Sequence, residues 1–186
     1  MAMVTEAVSP GNSDARTSGE AIVRSMFTDY LKVDPFDWQI EAVFSLALER
    51  KDLLVVQPTG ASLVVHGAVA IEEGVLLHIV PTLALGVAHT HDARAFHARA
   101  SSSVECFQLD CLELEDQKHL QEYLNGIESR ARHQIHLICS PLLLLQPSWA
   151  LVLDRLWTLG IITHGCLDEM HEALTLENCR PEFQEL

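Results

Sequence analysis

The spacing of hydrophobic positions in this chain changes near residue 50. Before that point apolar residues recur every three or four positions, which predicts amphipathic helices at residues 19–31 and 37–50. Asp37 is the expected cap of the second helix. Residues 1–18 are small, polar and turn-prone, so we expect a flexible tail there.

After residue 50, short apolar runs alternate with segments of helical spacing. The predicted strands are 53–56, 75–80, 104–109, 135–139 and 161–167. The predicted helices between them are 63–72, 83–99, 114–127 and 142–157. Because these strands are apolar throughout, they predict an α/β fold with a parallel sheet sandwiched by helices. Ligands bind such sheets beyond the carboxyl ends of the strands.

The composition suits one globular domain, which we place at residues 19–186. A formal net charge of −14 opposes nonspecific binding to nucleic acid, so any DNA contact would have to be local or supplied by another domain. The five cysteines are scattered and include no C-x-x-C pair, which favours reduced thiols over a disulfide framework or a zinc ribbon. Without a signal peptide or a long apolar run, we expect a soluble, intracellular protein with no membrane contact.

Distinctive short segments follow four of the predicted strands. They read QPTGAS at 57–62, PTLAL at 81–85, SPLLLL at 140–145 and LDEMHEA at 167–173. In the last segment Asp168 and Glu169 end an apolar strand and His171 follows, which is the layout of a D-E-x-H box. The first carboxylate of such a box can reach magnesium and the second can orient a water for attack on a γ-phosphate. The alternative is that the acidic pair only caps and begins a helix.

These segments together resemble the first RecA-like domain of a superfamily 2 helicase, and within that superfamily the RecQ family. The segment DPFDWQIEAV at 34–43 resembles the family's glutamine motif, and QPTGAS resembles the phosphate-binding motif I. PTLAL is similar to motif Ia, SPLLLL to motif Ib and LDEMH to motif II. CRPEFQEL at 179–186 resembles the F-R-P-E-Y segment of RecQ proteins.

The resemblance implies a P-loop NTPase fold and an ATP- and Mg²⁺-dependent 3'-5' DNA helicase, which would reside in the nucleus if the family role holds. It implies that Gln39 contacts adenine, and that the phosphates lie against Pro58, Thr59, Gly60, Ala61 and Ser62. It also implies that Asp168 binds Mg²⁺, that Glu169 is the catalytic base, and that His171 couples the site to DNA. Single-stranded DNA would lie along Pro81, Thr82, Ser140 and Pro141.

Motif I departs from the family pattern G-x-x-x-x-G-K-[ST], whose Lys neutralises phosphate charge. If the loop kept its length, Ser62, Leu63 and Val64 replace the Gly, Lys and Ser/Thr. If two residues were deleted, Ser62 is the surviving hydroxyl, and the downstream spacing favours this alignment. Either way the lysine is missing, so we expect ATP hydrolysis to be very slow or nil.

Two further departures point the same way. The family's Trp-Gly aromatic loop is replaced by EALTLEN at 172–178, and the chain stops before a second RecA-like domain. We therefore expect a sheet that is incomplete at its C-terminal end. A non-catalytic helicase relic, acting if at all through an unknown protein partner, is the alternative, and an incomplete coding sequence is a third possibility.

Histidines and tryptophans are the remaining candidates for chemistry. His89, His91 and His97 could suggest a metal, but their spacing suits no common zinc motif, and we interpret them as solvated helix residues. Trp38, Trp149 and Trp157 lie among aliphatic residues at helical spacing, which favours core packing over base stacking.

Overall fold

A computed structural model describes residues 13–30, 32–56, 60–99, 102–129 and 131–169. By internal contacts the chain divides into two compact units. The first comprises residues 1–72 and 95–102, and the second comprises residues 73–94 and 103–186. Each unit has its own apolar cluster and is described separately below.

The described part of the first unit is helical. Helix α1 (Ser13–Ser25) continues as a π-helical turn at Met26–Tyr30, and α2 (Asp37–Val43) continues as a second at Phe44–Leu48. Helix α3 follows at Ser62–Ile71. The apolar faces of these helices enclose a cluster that includes the buried residues Val23, Phe27, Ile40, Val43, Val64 and Phe96.

Two helix starts differ from expectation. Helix α1 begins at Ser13, inside the segment expected to be a flexible tail, and Arg16 anchors its first turns through Glu20 at 2.9 Å and Glu41 at 3.0 Å. Asp37 is the first residue of α2 rather than its cap. At this position its negative charge still interacts favourably with the positive end of the helix dipole. Its carboxylate pairs with Arg24 instead.

The predicted strand at 53–56 is wrong. This segment belongs to no sheet, and the side chains of Leu54 and Val56 are 77 % and 73 % exposed. A strand needs a neighbour to satisfy its backbone N–H and C=O groups. The described residues of the first unit contain no strand that could pair with it, so an apolar run alone did not produce one.

The second unit contains the other four predicted strands. They are β1 (Gly74–Ile79), β2 (Glu105–Gln108), β3 (Gln134–Cys139) and β4 (Ile162–Leu167). The strands are all parallel, in the order β2-β3-β1-β4, and are flanked by helices, so the predicted α/β fold with a parallel sheet is confirmed.

Four helices accompany these strands. They are α4 (Leu83–Arg99), α5 (Leu114–Gly126), α6 (Pro141–Leu144) and α7 (Pro147–Thr158), and a 3₁₀ turn at Leu109–Cys111 follows β2. The part of α4 up to Arg94 belongs to the second unit. The single helix predicted at 142–157 is divided in two because Pro147 begins α7.

One face of the sheet forms the apolar core of the second unit. Val75, Leu77, Ile135 and Leu137 pack with side chains of α5 and α7. Trp149 is fully buried in this cluster, as expected, and its indole N–H donates to Gln117 Oε1 at 3.2 Å. Trp157 is 65 % exposed, so its predicted core packing is wrong.

The opposite face of the sheet is polar. Because side chains alternate along a strand, the register places His78, His136 and Cys166 on one face together with Gln108. Helix α4 approaches this face closely, since a Cβ added to Gly86 would lie 2.5 Å from the Gln108 side chain. None of the described helices is long and apolar enough to cross a membrane.

Candidate functional site at the carboxyl edge of the sheet

Three strands of the second unit end side by side. The Val80 N–H donates to Cys139 O at 2.9 Å, and the Asp168 N–H donates to Ile79 O at 2.9 Å. The segments that follow β1, β3 and β4 therefore start from one edge of the sheet. They are PTLAL, SPLLLL and the acidic pair Asp168-Glu169.

After β1, Thr82 immediately precedes helix α4. Its Oγ1 accepts a hydrogen bond from the Leu85 N–H at 3.2 Å, which satisfies one of the free donors of the first turn. Pro81 is buried beside it. Of the two residues assigned to DNA in this segment, only Thr82 is partly exposed.

After β3, Ser140 is held by a carboxylate. Asp110 Oδ2 accepts a hydrogen bond from the Ser140 N–H at 2.7 Å, and Asp110 Oδ1 accepts one from the Ser140 hydroxyl at 2.5 Å. Pro141 is buried as the first residue of α6. Both polar groups of Ser140 are thus used within the protein, and this pairing stabilises the turn into α6.

After β4, the Asp168 carboxylate lies against two histidines. Its Oδ2 is 2.8 Å from His89 Nε2 and 3.8 Å from His78 Nε2. Contacts with His78, and then with His89, hold the pKa of Asp168 well below its usual range. Burial lowers the pKa of His78, whose side chain is 1 % exposed, whereas that of Asp168 is 29 % exposed.

A third imidazole extends this group. His78 Nδ1 lies 3.3 Å from His136 Nε2, and the two rings stack with centroids 5.4 Å apart. The ring of His89 lies 4.9 Å from that of His78. Burial, with a further contribution from Asp168, raises the pKa of the Cys166 thiol to about 12, so this thiol stays protonated and is a poor nucleophile at neutral pH.

Glu169 adopts a left-handed backbone conformation, with φ at 51°, which few residues other than glycine, asparagine and aspartate adopt. Its N–H donates to Asp168 Oδ1 at 2.9 Å, and its side chain is exposed. His171, the expected coupling residue, lies outside the described residues. The structure therefore describes two of the three residues assigned to catalysis.

The expected phosphate loop belongs to the first unit. Pro58 and Thr59 lie outside the described residues, while Gly60, Ala61 and Ser62 lead into α3. Gln39 fixes this turn, because its Nε2 donates to Gly60 O and its Oε1 accepts from the Phe36 N–H, each at 2.9 Å. Gly60 has φ at +85°, and a Cβ there would lie 2.9 Å from Gln39 Nε2. Glycine therefore suits this position both by conformation and by space.

The three histidines considered together from the sequence do not form one group. His89 joins His78 and Asp168, whereas the His91 side chain is 82 % exposed beside Asp92. His97 is buried in the first unit. Only His89 therefore belongs to the site around Asp168.

Comparison with protein-family models and with curated protein sequences finds no match for this chain. The function of the chain is therefore inferred from the residues of the site.

Sequence reasoning missed His78, His136 and Asp110. A usable signal existed for the two histidines, because each interrupts an otherwise apolar strand, GVLLHI in β1 and QIHLIC in β3. A polar residue that a buried strand retains needs a partner. Asp110 carried no comparable signal, since its partner Ser140 lies far along the chain.

The residues around Asp168 do not fit the Mg²⁺ ion that the resemblance implies. Mg²⁺ prefers oxygen ligands in octahedral geometry and keeps several waters. Here Oδ2 of Asp168 faces two buried imidazole nitrogens, and Oδ1 accepts a hydrogen bond from the Glu169 N–H. We therefore assign no step of a reaction to Mg²⁺ at this position.

Proposed function

We propose that this chain is a RecQ-like helicase ATP-binding domain of the P-loop NTPase class that binds nucleotide but does not turn ATP over. Local single-stranded DNA contact at the carboxyl edge of the sheet belongs to the same proposal. The chain would then act as a nucleotide-responsive binding module rather than as a motor.

One observation carries this proposal. The segments similar to motifs Ia, Ib and II follow three neighbouring parallel strands and begin at one edge of the sheet. Open parallel sheets bind ligands beyond that edge.

Two features support the loss of hydrolysis. The chain has no lysine in the segment similar to motif I, and a missing phosphate clamp removes transition-state stabilisation. The carboxylate of Asp168 faces the imidazole nitrogens of His78 and His89, a set of neighbours that does not suit Mg²⁺. Both features weaken chemistry on a γ-phosphate without preventing the binding of a nucleotide.

A protein-binding module is the second candidate. Helix α7 carries Leu151 and Trp157, which are 74 % and 65 % exposed. Large aromatic residues are enriched where proteins bind one another. If nucleotide binding is absent, these residues are the first to replace in a search for a partner.

The test measures nucleotide affinity and turnover in the same preparation. A fluorescent ADP analogue is titrated into the chain, and phosphate release from ATP is followed with and without single-stranded DNA. The comparison variant has Gly and Lys inserted between Ala61 and Ser62. A restored charge clamp contributes about 1.5–3 kcal/mol, so we expect about a 10- to 100-fold gain in affinity.

Two results would count against the proposal. DNA-stimulated turnover in the unmodified chain that Glu169→Gln abolishes would show an active enzyme. An affinity that the insertion leaves unchanged would show that the turn at Gly60 is not a phosphate loop.

A further inference from the structure

The polar face of the sheet brings three metal-ligating side chains to one point. His78 comes from β1, His89 from α4, and Asp168 from the end of β4. One nitrogen or oxygen atom of each lies within 4.8 Å of the others. The three residues come from separate elements, so their convergence is a property of the fold rather than of a local turn.

The hydrogen bonding of this group is incomplete. Nε2 of His78 and Nε2 of His89 are buried and have no hydrogen-bond partner. The 2.8 Å approach of His89 Nε2 to Asp168 Oδ2 thus lacks the direction of a hydrogen bond. Buried polar atoms without partners are costly, and a cation between them would satisfy both nitrogens and the carboxylate.

From this arrangement we propose that His78, His89 and Asp168 form a binding site for a divalent transition metal of the Zn²⁺ class. Imidazole and carboxylate ligands suit Zn²⁺ and its first-row neighbours, whereas Mg²⁺ prefers oxygen alone. The proposal depends on these three side chains alone and does not depend on nucleotide binding.

The distances suit a tetrahedral ion. Bonds of about 2.0–2.1 Å place the ligand atoms of a tetrahedral zinc about 3.3 Å apart. The two measured distances to Asp168 Oδ2, 2.8 Å and 3.8 Å, lie on either side of that value. A side-chain rotation that brings His78 Nε2 closer to Asp168 Oδ2 would shorten the longer of these two distances.

The neighbour of His78 provides the orientation that metal-bound histidines require. His78 Nδ1 faces His136 Nε2 at 3.3 Å, so a proton on Nδ1 leaves the Nε2 lone pair directed toward Asp168. Such outer contacts fix the tautomer of a ligating histidine. Asp168 is 29 % exposed, so a cation can enter from solvent, and a water can take the fourth position.

The experiment titrates Zn²⁺ into the full chain, after treatment with a chelator, by isothermal titration calorimetry. Mg²⁺ is titrated in parallel, and Co²⁺ is added as a visible-light probe of tetrahedral nitrogen and oxygen ligation. Variants are Asp168→Asn and His89→Gln, which keep the size of each side chain. The matched control is His91→Gln, two residues along the same helix and 82 % exposed.

We expect one Zn²⁺ per chain, with binding weakened at least tenfold in Asp168→Asn and in His89→Gln and unchanged in His91→Gln. Mg²⁺ is expected to bind far more weakly than Zn²⁺. Circular dichroism and the unfolding midpoint without metal establish that each variant is folded. If His89→Gln does not fold, the zinc affinity of Asp168→Asn alone tests the site.

Three results would overturn the proposed metal site. The first is that the chain binds no stoichiometric Zn²⁺, the second is an equal loss of zinc affinity in the His91→Gln control, and the third is unchanged zinc affinity in both ligand variants. In the last two cases the zinc is held by other side chains of this protein. Failure of nucleotide binding leaves the metal result unaffected, so the two proposals can be tested separately.

Discussion

The contact between Asp110 and Ser140 holds the turn after β3, and its energy can be measured. Asp110 accepts two hydrogen bonds from Ser140, at 2.7 Å from the backbone N–H and at 2.5 Å from the hydroxyl. Hydrogen bonds to a charged group contribute about 1.5–3 kcal/mol each, and less where solvent screens the charge. Both residues are half-buried, so solvent screens the charge and we take about 1 kcal/mol for each bond, below that range.

These values predict a specific thermodynamic cycle. Asp110→Ala removes both bonds and is expected to lower the free energy of unfolding by about 2 kcal/mol, whereas Ser140→Ala removes one and costs about 1 kcal/mol. The bond to the Ser140 hydroxyl is already lost in Asp110→Ala, so adding Ser140→Ala removes nothing more. The double variant is therefore expected to lose about 2 kcal/mol of unfolding free energy, which corresponds to a coupling energy of about 1 kcal/mol.

The assay is urea unfolding followed by circular dichroism, with Asp154→Ala at an exposed position of α7 as the matched control. This control is expected to change stability by less than about 0.5 kcal/mol. Additive effects of the two substitutions, with coupling below about 0.3 kcal/mol, would show that the pair does not hold the turn. The Ser140 assignment would then need revision, since its hydroxyl would be free for other contacts.

Three further predictions concern how residues of the first unit contribute to the stability of the chain. Gly67→Ala places a Cβ 2.5 Å from Phe27 Cζ and is expected to lower the free energy of unfolding by about 1–3 kcal/mol in the same urea assay. The control is Gly126→Ala in α5 of the second unit, whose Cβ meets nothing within 4 Å and which is expected to be neutral or stabilising. Gln39→Ala removes two hydrogen bonds from a buried amide and is expected to cost about 2–3 kcal/mol by urea unfolding, and a loss below about 0.5 kcal/mol would contradict its anchoring role. Burial lowers the pKa of His97 to about 4, below the usual histidine pKa of about 6.5. Between these two pH values the unfolded chain binds more protons than the folded chain. The free energy of unfolding is therefore expected to fall by up to about 3 kcal/mol as the pH drops from about 6.5 to 4. His97→Leu is expected to reduce this pH dependence, and an unchanged slope would refute the assignment.

Much of the fold could be predicted from local patterns. The four strands of the sheet are apolar runs bounded by turn residues, and the helices between them show helical spacing. The strand predicted at 53–56 is absent because strand formation depends on a neighbouring strand, which a local pattern does not reveal. The break between α6 and α7 was visible in the sequence at Pro147.

The site was less accessible to sequence reasoning than the fold. The position of Asp168 and Glu169 at a strand end could be predicted, because an apolar run stops there. The pairing of Asp168 with His78 and His89 could not, because it depends on the order β1-β4 in the sheet and on how α4 crosses the polar face. A lone histidine in a strand gives no sign of which distant carboxylate it will meet.

The most direct test of the proposed function is a nucleotide titration of the full chain followed by amide NMR. We predict that the amide signals of Gly60, Ala61 and Ser62, at the turn similar to motif I, shift with a single saturable Kd. Signals of this turn that do not move at saturating nucleotide would contradict the proposal.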